Sequence, residues 1–287
     1  MRADDTPAAH IVRPVLTIER WPSLDEPIMI LAFTGWVDAG LAGSGAISAL
    51  EEQIEPAPPF ATIDLADHMD LQQTRPTARW ESEGNRVIDW PTIEFVAGRL
   101  GHDIVLVRGP EPSLRWPTVA GAIVDAARTL GVRKGFTVAG MPALVSHRRP
   151  VVVHASATHR SLAQELAPLR ADYGGPTGLQ TIVQRALGDA DIPCAGLWAQ
   201  VPQYVSGSPS PPAVRAVLRR LAEVGPLDID LGLLDARCDA YVARVDAGLS
   251  TRPDVQAVVD RIDQDQGAST DDLVSEIERF LRTQTDE

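Results

Sequence analysis

The sequence predicts an α/β protein with a mostly parallel sheet covered by helices on both faces, followed by a helical C-terminal region. Three observations carry this. Short continuous apolar runs alternate with amphipathic stretches, which is how strands buried on both faces and their crossover helices read. With 287 residues, 44% hydrophobic and 23% charged, the chain can bury one large core. After about residue 227 no strand signal returns.

The runs read as strands are PVLTI (14–18), IMILAFT (28–34), ATIDLA (61–66), DIVLVRG (103–109), GFTVAG (135–140), VVVHASA (151–157) and CAGLWAQV (194–201). Each is short and bounded by turn formers, and most are rich in branched side chains. The second passes through a glycine-studded turn, GWVDAG, into a helix. Gly40, Gly43 and Gly45 read GxxGxG, not the dinucleotide pattern GxGxxG. Asp38 stands where that helix begins, and its charge suits a cap better than it suits a neighbouring phosphate. The turn nevertheless follows a strand, the place where Rossmann-like folds bind anions, so Asp38 is also a candidate ligand-binding residue.

The later helices have readable ends. In WPTVAGAIVDAARTLG, Val119, Ile123, Val124, Ala127 and Leu130 recur at helical spacing between Pro117 in the first turn and Gly131 past the end. In PTGLQTIVQRALG, Thr177 is the expected cap and Gly188 the expected stop. In SPPAVRAVLRRLAEVGP, Ser210 is the expected cap, with Gly225 and Pro226 past the end. Residues 227–249 read as helical. A last helix is expected in STDDLVSEIERFLRT, opening with a capping box from Ser269 to Asp272 and carrying a stripe of Leu273, Ile277, Phe280 and Leu281. The chain thus divides into an α/β core at 1–226 and a helical region at 227–287, packed on the core or on a neighbouring subunit.

Composition excludes several functions. A net charge of −13 and a pI near 4.9 repel phosphate backbones and anionic lipid, so neither nucleic acid nor a membrane surface is an expected partner. Cys194 and Cys238 form no CxxC pattern, which leaves no material for a disulfide scaffold or structural zinc. The N-terminus lacks the apolar stretch of a secretion signal, and no stretch approaches a spanning helix, so a cytoplasmic location is expected. Lys134 is the sole lysine among 26 basic residues. The P-loop pattern is absent, and lysine-dependent nucleotide chemistry has one candidate. No cofactor is expected. There is no GxSxG elbow, so catalytic residues are not assigned.

Two further segments offer polar chemistry. RGPEPSLRWP (108–117) lies at the carboxyl end of a strand, where Arg108, Glu111, Arg115 and Trp116 could line a mouth. It reads equally as a turn with two prolines and exposed charges. AGMPALVSHRRPVVVHASATHR (139–160) brings His147, Arg148 and Arg149 between two strands, with His154 and His159 after them. The histidines lack helical i, i+4 spacing, so no metal is expected. His147 beside Arg149 could grip a carboxylate or phosphate, whereas Arg148 reads as a salt-bridged connection.

FTGWVDAG, RGPEPSLRWP, GMPALVSHRRPV and YGGPTGLQTIVQRAL, in that order, resemble the actinobacterial branch of the proteasome-assembly-chaperone-2-like family. The resemblance spans about 28 to 225. It implies a phosphorylase/hydrolase-like three-layer α/β/α fold with a mixed sheet, assembled into homo-oligomers, a trimer being favoured. It also implies protein partners, proteasome subunits among them, and contact without catalysis. The family's turn His-Thr-Arg-Pro is here His147-Arg148-Arg149-Pro150, so a role for that threonine does not carry over. A non-catalytic binding or assembly protein is the expectation. The alternative is an enzyme or binder of a small anionic or nucleoside-like molecule, held by Arg149 and His147.

Overall fold

The computed structural model describes residues 15–81, 84–166 and 174–264. Its strands are β1 (Leu16–Ile18), β2 (Ile28–Thr34), β3 (Ala61–Asp64), β4 (Thr77–Trp80), β5 (Arg86–Asp89), β6 (Thr92–Leu100), β7 (His102–Pro110), β8 (Lys134–Ala143), β9 (Val153–Ala157) and β10 (Cys194–Pro202). The helices are α1 (Ala42–Glu51), α2 (Trp116–Thr129), α3 (Arg160–Leu166), α4 (Leu179–Asp189), α5 (Pro211–Val224), α6 (Asp235–Leu249) and α7 (Pro253–Gln264).

Eight strands form one mixed sheet in the order β1-β3-β6-β7-β2-β8-β10-β9. Parallel pairing is confined to the central strands β7, β2, β8 and β10. Every pairing outside them is antiparallel. The sheet is therefore parallel at its centre and not across most of its width, and β6 is the main reason. Its sequence TIEFVAGRL carries Glu94 and Arg99 and shows no continuous apolar run. It reaches β7 through a turn at Gly101, whose φ of 71° needs a glycine, and a hairpin fixes antiparallel pairing. The separate β4–β5 hairpin is exposed along almost its whole length.

Alternation along β2 builds both cores. Ile28, Ile30 and Ala32 face α1 and α5, where they meet Ile47, Leu50, Val217 and Leu221. Met29, Leu31 and Phe33 face α2 and α4, among Val119, Ile123, Leu179 and Val183. A strand with a period of two and helices on both sides must be apolar at every position. The result is three layers, α/β/α.

Helix ends hold two corrections. Thr177 does not cap α4: the N-cap is Gly178, without a side-chain bond, and the helix runs one residue past Gly188. Ser210 is the N-cap of α5, but its hydroxyl makes no capping bond.

Beyond α5, Leu227 and Leu234 join the α1/α5 core. Tyr241, Val245, Leu249 and Val259, from α6 and α7, form a smaller cluster against Tyr204 and Val205. The helix expected at 269–283 lies outside the described residues. Among the described residues, no helix is long and apolar enough to cross a membrane.

Candidate functional site

Open α/β sheets bind ligands beyond the carboxyl ends of their parallel strands, which makes the end of β2 the first candidate. β2 ends at Thr34, and after the turn Asp38 pairs with Gly140 as an isolated parallel bridge. The chain then makes a short 3-10 turn, Ala39–Leu41, and enters α1. Buried Asp38 accepts the Gly43 N–H (2.9 Å) and the Ser44 N–H (3.2 Å) through Oδ1, while the Ser44 hydroxyl donates to Oδ2 at 2.5 Å. The amides that an anion would need at this helix start are held by the protein's own carboxylate. There is also no space for a ligand between α1 and β8. A Cβ on Gly43 would stand 2.4 Å from the Val138 carbonyl oxygen, and one on Gly140 would stand 2.0 Å from that of Ala39.

Glu111 follows β7 and repeats the device. Its N–H donates to the Thr34 carbonyl (2.8 Å), and its Oε1 accepts the N–H of Leu179, first residue of α4, at 2.6 Å. The cap expected at Thr177 therefore comes from 68 residues away. Gly178 allows this approach, since a Cβ there would stand 2.7 Å from Oε1.

Both carboxyls titrate above the ordinary range. Burial pushes Asp38 up against the hydrogen bonds from Ser44 and Gly43, and pushes Glu111 up against the N–H groups of Leu179 and Trp36. A carboxyl raised in the folded state adds stability that is full below its unfolded pKa and lost as pH rises through its folded pKa. Relative to Asp38→Asn, the wild-type protein is expected to lose stability over that window. Urea unfolding of both proteins at a series of pH values checks this, and parallel stability curves would refute it.

Arg108 and Trp116 of the 108–117 segment have partners elsewhere. Arg108 bridges Glu51 (2.7 Å) and Glu94 (2.9 Å). Exposed Arg115 adopts φ 56° at the start of α2. The Trp116 indole N–H donates to the Pro112 carbonyl, with its ring against the α2/α4 core.

The segment after β8 is a different kind of site. The His147 side chain is fully buried, with Nδ1 2.7 Å from the Tyr204 hydroxyl oxygen and Nε2 3.1 Å from Asp246 Oδ1. Its backbone N–H also donates to that hydroxyl (2.9 Å). In the neutral form the donors balance if Tyr204 O–H donates to Nδ1 and Nε2–H donates to Asp246; this tautomer is assigned from the network. Arg148 donates to Asp246 through Nε (3.0 Å) and Nη2 (2.7 Å), and through Nη1 to Asp260 and Asp263, both at 3.3 Å. Arg149 donates to Asp263 Oδ1 (3.3 Å) and to its carbonyl (2.9 Å). Burial acts to raise the Asp246 and Asp263 carboxyls. Bonds from Arg148 and His147 to the first, and from Ser146, Arg149 and Arg148 to the second, outweigh it and hold both below the ordinary range.

His147 and Arg149 line one cavity of about 80 Å³ with Ser146, Gln200, Ser210 and Tyr241. Of the six candidate residues, these two alone are brought together there. Asp38 and Glu111 stand at helix starts, and Arg115 and Trp116 open α2. The partners of the 147–149 segment, Tyr204, Asp246, Asp260 and Asp263, lie 57 to 115 residues away, and no local pattern marks them. Among the described residues, no group of three or more His, Cys, Asp or Glu could hold a metal ion. The Ser44 hydroxyl serves Asp38, and burial pushes the Cys194 thiol far up. The bonds of the 147–149 segment join the connection after β8 to α6 and α7.

A model of the PAC2 family matches residues 32–247. A PAC2 family protein from Streptomyces avermitilis is 37% identical, over 77% of this chain and 95% of that one, with a TM-score of 0.73. A Mycobacterium tuberculosis proteasome-assembly chaperone homologue is 32% identical, over 77% of this chain and 94% of that one, with a TM-score of 0.70. A second M. tuberculosis protein, of unknown function, is 23% identical over 88% of this chain and 91% of its own; its TM-score of 0.79 shows a shared fold alone. No curated protein matches.

Proposed function

The chain belongs to the PAC2 family, and on that premise we propose that it acts by binding protein, as a non-catalytic assembly factor with proteasome subunits or their precursors as partners. The observation that carries this reading is the occupation of both helix starts at the strand ends by Asp38 and Glu111. An enzyme of this architecture would keep such positions open for substrate. The proteasome connection is drawn from the mycobacterial homologue, and the assembly of this chain into homo-oligomers, a trimer favoured, belongs to the same proposal.

The surface supplies contact residues. Trp80 and Trp90, 71% and 50% exposed, stand on and beside the β4–β5 hairpin, and Trp36, 63% exposed, stands beyond β2. The Arg86 guanidinium lies 5.7 Å from the Trp80 ring centre. Exposed tryptophan beside arginine is the composition of interface hot spots.

The test is capture of the tagged protein from its source cells, with co-purifying proteins quantified by mass spectrometry. Proteasome subunits are expected among the enriched proteins, and Trp36→Ala with Trp80→Ala is expected to cut their recovery by about tenfold. A capture free of proteasome subunits would sink the proteasome reading.

A further inference from the structure

We propose that the 147–149 segment is a docking site for an acidic amphipathic helix, filled by the chain's own α7 and open to a partner helix that displaces it. This rests on the protein-binding reading and names the kind of partner. Charge is the first argument. Within α7, Asp254, Asp260 and Asp263 outnumber Arg261, a net −2, and two of those three carboxylates meet the consecutive Arg148 and Arg149. Pattern is the second. Val255 and Val259 are four residues apart and share a face of α7. They pack in the cluster that includes Tyr204 and Val205, while Asp260 and Asp263 reach the arginines.

The attachment is of a strength that a partner can match. α7 has 12 residues, a length at which an isolated helix is marginal. Its fully buried apolar anchor is Val259. The ion pairs are partly exposed, so salt screens them and each is weak. Part of the receiving side, by contrast, is held without α7. Asp246 of α6 and buried His147 fix the Nε and Nη2 side of Arg148, leaving Nη1 to address the incoming helix. Such preorganisation lowers the cost of exchanging one helix for another.

The probe is a labelled synthetic peptide of residues 253–264, titrated by fluorescence anisotropy into full-length Asp260→Lys/Asp263→Lys protein, whose own α7 is repelled. The peptide is expected to bind this variant at least about tenfold more tightly than wild type, where the tethered helix competes at high effective concentration. Adding Arg148→Glu is expected to abolish binding. No binding to the opened variant, or binding indifferent to Arg148→Glu, overturns the proposal. Hydrogen exchange on the wild-type protein serves even if the variant fails to fold. Amides of α7 are expected to exchange faster than those of β8, and faster still as salt rises. Exchange of α7 only together with β8 also overturns the proposal. Neither result bears on proteasome capture, so the two readings fail separately.

Discussion

Gly140→Ala is expected to lower the free energy of unfolding by about 3 kcal/mol or more, a large effect for a single methyl group. The added Cβ would stand 2.0 Å from the Ala39 carbonyl oxygen and 3.0 Å from the Ala42 Cβ. Neither is the far end of a flexible side chain. Relief requires the 3-10 turn to lift from β8, which breaks the bond from Gly140 N–H to the Val37 carbonyl (3.1 Å) and disturbs the Asp38 cap. Gly121→Ala is the control of opposite sign. Nothing lies within 4 Å of its Cβ, and alanine in the middle of α2 is expected to add about 0.5–1 kcal/mol. Urea denaturation of both reads the difference. A Gly140→Ala protein within about 1 kcal/mol of wild type would show that α1 does not depend on this close approach.

His147→Ala is the second large effect, a loss of about 2–3 kcal/mol. The fully buried ring leaves a cavity, and its removal strips Tyr204 and Asp246 of a shared partner. Arg148→Ala is expected to cost less, about 1 kcal/mol, because its ion pairs are partly exposed. Calorimetric melting orders the two. An unchanged melt for His147→Ala would mean that the buried network contributes little and that the histidine is held for another purpose.

The legible parts of the fold were those encoded locally. β2, β7, β8 and β10 are central strands with a helix layer on each side, so their apolar runs stand out against the rest of the chain. α2 and α5 showed their starts and stops through Pro117 and Gly131, and through Ser210 and Gly225. β6 was hidden because Glu94 and Arg99 interrupt its run, and β4 and β5 because both faces meet solvent. The candidate site divided the same way. The side chain of Asp38 caps α1 within a single turn of chain, which spacing could indicate. Glu111 as the cap of α4, and the three aspartates around Arg148, depend on contacts that only the folded chain creates. Arg148 read as a salt-bridged connection and forms one; what the sequence lacked was the identity of its partners.

The bond from Leu179 N–H to Glu111 has a consequence for how the chain can be divided. A helix whose start is completed by a side chain just past a distant strand is not a self-sufficient piece. α4 reaches its full stability only when β7 is in place, so the two belong to one cooperative unit. A cut in the 144–152 connection, which leaves β7 on one fragment and α4 on the other, would yield halves that each need the other's surface, the condition for a split protein that regains its form only on reassembly.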